Sequence, residues 1–180
     1  MIDVRQATPD DAKVITAIWL EAWRGAYRGL VPEAAIARRT DEAAAAYWQA
    51  VLPDPERNRH VLVAELPERG VVGFAQAGVP EPDEPGYESE LWKLYISPDA
   101  QRQGVGRALM QAMAAHLLRD GISTMCLRAF VGNRAADFYT RMGGELLREE
   151  PYEILGEVAP TILYGWPDLT TLCSEDPARA

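Results

Sequence analysis

A single α/β domain is the fold class that the 180-residue sequence predicts, and three observations carry that reading. Runs with strand-like alternation are interleaved with segments whose apolar residues recur at helical spacing. Hydrophobic residues make up 48% of the chain, enough to fill one core at this length. No internal repeat, low-complexity segment or change in composition divides it, so one layered structure is the economical arrangement. The domain is expected over residues 1–168, with 169–180 a flexible C-terminal tail.

Residues 2–7 alternate as a strand, and Thr8-Pro9-Asp10-Asp11 supplies an N-cap, a first-turn proline and acids suited to a helix N-terminus. The helix that follows carries Ala12, Ile15, Trp19, Ala22 and Trp23 at helical spacing, and Gly25 and Gly29 mark its end and the next loop. Pro32 and Thr40 open two alanine-rich helical stretches, roughly 33–39 and 41–51. Residues 59–66 and 71–78 read as antiparallel neighbouring strands joined by the hairpin loop Pro67-Glu68-Arg69-Gly70. The segment 79–87, with three prolines and three acids, is expected to be an exposed loop before a third strand over 88–96.

The clearest helix follows: Val105, Ala108, Leu109, Ala112, Met113 and Leu117 keep one helical stripe, and Gly121 stands where a C-terminal cap belongs. A strand over 124–131, a short helix capped by Asn133 and ending near Gly143-Gly144, and two strands near 145–153 and 160–166 complete the chain.

With 27 acidic and 18 basic residues the net charge is −9, which repels a phosphate backbone, so no nucleic-acid partner is expected. No stretch is long and apolar enough to cross a bilayer, and the N-terminus is a polar strand-like segment. A soluble, unprocessed protein without a membrane partner is expected. Cys126 and Cys173 lie far apart, which suits a reducing compartment, and the expected location is cytoplasmic. Cys126, inside a strand-like run, reads as a small buried apolar residue rather than a nucleophile. The two histidines, His60 and His116, are too few for a His-rich metal cluster, so no metal is expected.

The informative run is Leu91 to Met110, a strand, a tight glycine loop and the helix just described. That order aims backbone N–H groups at an anion, because a helix N-terminus carries unsatisfied donors and partial positive charge. Gly104 and Gly106 lack the Cβ atoms that would hold a pyrophosphate away. A P-loop would need a Lys-Ser/Thr pair after the second glycine, where Arg107-Ala108 stands. A dinucleotide fingerprint needs a third small residue where Leu109 stands, so it fits weakly. An ordinary strand-to-helix turn remains a competing reading.

Gln101-Arg102-Gln103-Gly104-Val105-Gly106 resembles the pattern Gln/Arg-x-x-Gly-x-Gly/Ala of the GCN5-related N-acetyltransferase superfamily, with every fixed position matched. Asn133, Ala136, Phe138, Tyr139 and Gly143 resemble that family's coenzyme-contacting helix, in the expected order. Residues 21–32 resemble its acceptor-side helices less specifically. Gly144 departs from the family, where many members carry an aromatic or aliphatic residue, and this suggests looser packing there.

The resemblance implies a mixed, mostly antiparallel central sheet with helices on both faces and with strands four and five splayed. It implies acetyl-CoA as co-substrate and an amine acceptor, either a small molecule or a protein N-terminus. It also allows a homodimer, since the final strands of relatives pair across one. Gln101, Arg102, Gln103, Gly104, Val105, Gly106 and Arg107 would cradle the pyrophosphate, and the backbone of Leu94, Tyr95 and Ile96 would pair with the pantetheine arm. Asn133 would contact the coenzyme, and Tyr139 holds the position of the acid that protonates the departing thiolate.

Direct attack needs a neutral amine, whose pKa is ordinarily about 10.4, so a base is expected. Glu90 is the first candidate, sharing a strand face with Glu88 and Trp92 by period-two alternation. Glu88 and Glu90 read equally as solvated charges at a strand start, and Asn133 as a plain helix N-cap. Trp19, Trp23, Tyr27 and Trp48 either line an acceptor pocket or fill the core, with Trp19 assigned to the core. The rival functions are a non-catalytic acyl-CoA-binding module and a nucleotide-phosphate binder. The acceptor stays open among antibiotic, polyamine, amino acid, other small amine and protein N-terminus.

Overall fold

The computed structural model describes residues 1–173. Its strands are β1 (Asp3–Gln6), β2 (Val61–Leu66), β3 (Gly70–Gly78), β4 (Ser89–Ile96), β5 (Met125–Phe130), β6 (Glu145–Ile154) and β7 (Glu157–Trp166). Its α-helices are α1 (Ala12–Ala26), α2 (Glu33–Arg38), α3 (Asp41–Val51), α4 (Val105–Arg119), α5 (Ala136–Arg141) and α6 (Thr170–Cys173). The strands form one sheet in the order β1-β2-β3-β4-β5-β7-β6. Every pairing is antiparallel except β4 with β5.

Both faces of the sheet are covered, which is why its central strands are apolar on both sides. Leu109, Met113 and Leu117 of α4 pack with Ala75, Leu91 and Leu127 on one face. On the other, Ile15 and Trp19 of α1 and Trp48 of α3 pack with Val61, Val63 and Phe74.

Several local expectations change. Helix α1 continues through Gly25 to Ala26, and the chain leaves it at Tyr27, whose ring lies 4.7 Å from that of Trp23 and anchors the last turn. Helix α5 begins at Ala136 rather than beside Asn133; the Asn133 side-chain oxygen instead accepts from the Ala135 N–H at 2.9 Å, in the turn before the helix. The proline-rich segment is not wholly exposed, because Glu84 is buried between Arg128 and Arg148. Residues 169–173 are not a loose tail: Leu169 and Leu172 are buried and α6 packs on α4, while 174–180 lie outside the described residues.

Packing after α5 is tight, not loose. A Cβ on Gly144 would fall 2.7 Å from Cζ2 of Trp166 and 3.0 Å from the Tyr139 carbonyl oxygen. Trp166 is fully buried and donates its indole N–H to the Met142 carbonyl at 3.0 Å. The small residue makes room for the indole, so the space beside α5 is filled by a side chain from β7. Gly144→Ala should therefore destabilise the protein, by about 1–3 kcal/mol for an overpacked site, read as a lower denaturation midpoint. An unchanged midpoint would mean that Trp166 shifts without cost.

Candidate active site

The site originates in an irregularity of β4. Gln76 faces Lys93 across the β3–β4 ladder while Ala77 faces Leu91, so Trp92 is an extra residue on β4, a β-bulge. The Trp92 ring lies on Gly78, where a Cβ would fall 2.0 Å from Cη2. A bulge shifts side-chain alternation by one. Leu91 and Leu94 therefore face α4, while Glu90, Lys93 and Tyr95 all face the α1 side. Glu88, Glu90 and Trp92 line the cleft on that side as expected, and the bulge adds Lys93 and Tyr95 to them; Glu88 precedes the strand and accepts from the N–H and hydroxyl of Ser123.

The bulge also parts the strands. β4 and β5 keep two register pairs, Ser89 with Met125 and Glu90 with Cys126, and β4 then runs on to Ile96 with no β5 partner. Leu94, Tyr95 and Ile96 thus present one backbone edge to the gap.

The glycine loop closes one end of that gap. Arg102 and Gly104 take positive φ, +59° and +87°, and α4 starts at Val105 immediately after them. Gln101 donates to the Ile96 carbonyl at 3.2 Å and Gln103 to the Asp99 carbonyl at 2.8 Å, which fixes the loop against the end of β4. Gly104 is required by its backbone conformation. Gly106 faces α5: a Cβ there would meet Cζ of Phe138 at 3.3 Å, a tight contact, and Cδ1 of Ile96 at 3.5 Å, an ordinary one. The two glycines thus differ, one set by backbone conformation and the other by a close neighbour.

Tyr139 on α5 is buried beside Tyr164, with ring centroids 5.6 Å apart. Burial pushes its phenol well above the ordinary value, helped by the neighbouring Tyr95 and Tyr164 phenols. Tyr95 lies on β4, where its hydroxyl is 3.0 Å from that of Tyr27. The three phenols of Tyr27, Tyr95 and Tyr139 consequently sense one another where β4 leaves β5.

On the α1 side, a cleft of about 870 Å³ opens over the same stretch of β4. Trp19, Trp23 and Tyr27 do line it, whereas Trp48 lies beneath in the core. The Lys93 ammonium reaches into the cleft. It donates to Gln76 Oε1 at 2.8 Å and to the Tyr47 hydroxyl at 3.2 Å, and stands 5.2 Å from the centre of the Trp19 ring. Burial, with the nearby Arg39 charge, holds its pKa down at about 7.

Glu90 is buried, not a solvated charge. Its carboxylate accepts from the Glu81 N–H at 3.1 Å and lies 2.8 Å from Arg128 Nη1, close but poorly aligned for a hydrogen bond. Burial raises its pKa; the Glu81 N–H and Arg128 limit the rise. Arg128, itself buried, also meets Glu84 at 3.3 Å and Glu150 at 2.9 Å, and Arg148 meets Glu84 at 2.6 Å. Two guanidiniums and three carboxylates thereby hold one another in place at one end of the cleft.

Lys93, Arg39 and Arg128 escape a reading of the sequence; the available signals were that Arg128 interrupts the otherwise apolar Met125–Phe130 and that Lys93 stands among the apolar residues of 91–96. The two histidines do come together, with rings 5.3 Å apart, and a ligand atom of each lies within 4.8 Å of the other and of an Asp120 oxygen. Arg59 already pairs with Asp120 at 2.9 Å, and both His116 nitrogens are engaged by the Arg59 carbonyl and Arg119. Cys126 is fully buried, and burial pushes its thiol up to about 12, which removes it as a nucleophile.

Known proteins share both the sequence pattern and the architecture. Residues 57–143 match the model of the acetyltransferase (GNAT) domain. An uncharacterized N-acetyltransferase of Bacillus subtilis, YuaI, is 31% identical over 172 residues, 96% of each chain. The crystal structure of the PaiA N-acetyltransferase of Thermoplasma acidophilum in complex with coenzyme A superposes with a TM-score of 0.71 at 18% identity, covering 92% of this chain and 98% of that one. That of yncA, a putative acetyltransferase of Salmonella typhimurium with acetyl-CoA, gives 0.67 at 20% identity, covering 99% and 98%. The chain belongs to the GCN5-related N-acetyltransferase superfamily.

The low pKa of Lys93 is directly measurable, since the chain has only two lysines, Lys13 and Lys93. In lysine-labelled protein one Cε resonance should titrate with a midpoint near 7 and be missing from Lys93→Gln. Because the folded value lies below the unfolded one, the unfolded chain binds more protons between the two, so Lys93 makes stability rise with pH above about 7. A resonance that does not move below pH 9 would place the ammonium in water.

Proposed function

We propose that this protein transfers an acetyl group from acetyl-CoA to a primary amine by direct attack in a ternary complex. The observation that carries this is the junction at Glu90, after which β4 leaves β5 and offers a bare backbone edge between the glycine loop and the cleft. Membership of an acetyltransferase superfamily supports the same reading. In it, the backbone N–H groups from Gln101 to Arg107 hold the pyrophosphate at the N-terminus of α4. Asn133 contacts the coenzyme, and the Leu94-Tyr95-Ile96 edge pairs with the pantetheine arm. A β4 N–H in this stretch polarises the thioester carbonyl and stabilises the oxyanion.

The amine enters from the cleft. Glu90 takes one proton from the ammonium, directly or through one water, and its raised pKa makes it a better base than a solvated carboxylate. The free nitrogen forms a bond to the carbonyl carbon; collapse of the tetrahedral intermediate breaks the C–S bond. Tyr139, kept protonated by burial, gives its proton to the departing sulfur and recovers one from the new amide nitrogen. One proton in total passes to solvent. The proposal also carries a cytoplasmic setting, and a homodimer formed through the final strands, with β6 at the edge of the sheet.

An assay of free coenzyme A thiol across a panel of amines tests this reading. Tyr139→Phe keeps the ring and loses one oxygen, and should lower turnover by about 10²-fold or more with little change in acetyl-CoA affinity. Wild-type turnover with chemistry rate-limiting would remove Tyr139 from the mechanism.

Glu90→Gln should cost most where the carboxylate is ionised and the amine is still protonated, and least at low pH, where Glu90 is itself neutral, and at high pH, where the amine is already neutral. The wild-type rate rises with pH as Glu90 ionises, and that limb should vanish in the variant. An unaltered acid limb assigns the base elsewhere.

A further inference from the structure

The cleft wall holds two cations without a counterion. Arg39, at the end of α2, lies with Cζ 4.2 Å from the centre of the Trp19 ring and 4.3 Å from that of Trp23. Lys93 stands over the same Trp19 ring and feels the Arg39 charge. Among the described residues neither forms an ion pair; the groups that favour the Arg39 charge are the phenols of Tyr95, Tyr27 and Tyr47. Stacking on indole recovers part of what burial costs a guanidinium, but a buried charge is ordinarily paired.

The hydrogen-bond inventory points the same way. Arg39 Nε and Trp23 Nε1 are buried donors with no acceptor, and Trp19 Nε1, beside the Tyr95 hydroxyl, makes no bond of good geometry. Buried donors are normally satisfied, and Trp19, Trp23, Arg39 and Lys93 all line the cleft, so its wall is rich in donors and poor in acceptors at this place. The nearby buried carboxylates are already engaged: Glu90 pairs with Arg128, and Glu84 with Arg128 and Arg148.

We propose that Arg39, with Lys93 beside it, receives a carboxylate of the acceptor, so that the amine substrate is a small amino-carboxylate such as a free amino acid. This rests on the acetyl-transfer reading of the same cleft. The charge pattern suits such a molecule, with its anion at Arg39 and Lys93 and its ammonium toward Glu90. A polyamine would meet like charge at the cationic end. The indoles of Trp19 and Trp23 and the phenol of Tyr27 supply apolar surface for a side chain.

The test compares the twenty L-amino acids with their C-terminal amides, which keep amine and side chain and lose the negative charge. The preferred amino acid should have kcat/KM about tenfold or more above its amide, because a site built to pair a group rejects the analogue lacking it. Arg39→Gln should collapse that ratio, and Arg39→Lys, which keeps the charge, should retain part of it. A second readout needs no coenzyme and no variant: the amino acid should raise the midpoint of the Lys93 Cε titration and its amide should not.

Amides that serve as well as acids, a peptide or polyamine preferred over every amino acid, or a Lys93 midpoint unmoved by the acid would each overturn the proposal. Those outcomes leave acetyl transfer standing. Conversely, a Lys93 midpoint that rises in a protein not stabilised by acetyl-CoA would keep the carboxylate site and refute the transfer.

Discussion

The bulge at Trp92 is the constraint on which the rest of the site depends. One extra residue opposite Ala77 bends β4 and reverses its alternation, and both effects are used. The bend ends pairing with β5 after Glu90, leaving a polar backbone edge that would otherwise be consumed in the ladder. The reversed alternation puts Glu90 and Lys93 on one face, although three residues separate them along a strand where regular pleating would divide them. The indole of the bulged residue rests on Gly78, where a side chain would otherwise stand.

Around that strand, burial sets the electrostatics. Arg128 and Arg148 are enclosed by Glu84, Glu90 and Glu150, so the charges at that end of the cleft nearly cancel and hold the carboxylates in fixed geometry. Lys93 and Arg39 have no such enclosure, and the ammonium answers by giving up its proton more readily. A chain of net charge −9 thus places Lys93 and Arg39 together on the wall of its cleft. The two groups differ in kind: Arg128 and Arg148 are paired with carboxylates, and Arg39 and Lys93, among the described residues, are not.

The glycine loop shows how a short motif serves two purposes. Gly104 supplies a left-handed backbone that turns the chain into α4, and Gly106, in the first turn of that helix, lies against the Phe138 ring of α5. One short loop thus both starts α4 and meets α5. Tight packing continues past α5, where Trp166 fills the space left by Gly144.

Much of this was legible in the sequence, because caps, glycine turns and hydrophobic periodicity act over a few residues. The helix from Val105, the hairpin at Pro67 to Gly70, and the loop around Gly104 needed no information beyond their neighbours. The burial of Cys126 could be read from its strand in the same way. What required the tertiary structure was every relation between distant segments. No local pattern says that Trp92 bulges, since a bulge is defined by the partner strand. Nor does any local pattern pair Glu84 with Arg148, bring His60 to His116, or bury Lys93 beneath aromatic rings from α1 and α3. The sequence by itself therefore determined the family, the order of elements and the glycine turn into α4. Which charges are paired, which are isolated and how strongly each holds its proton were decided by burial, a property of the packed chain alone.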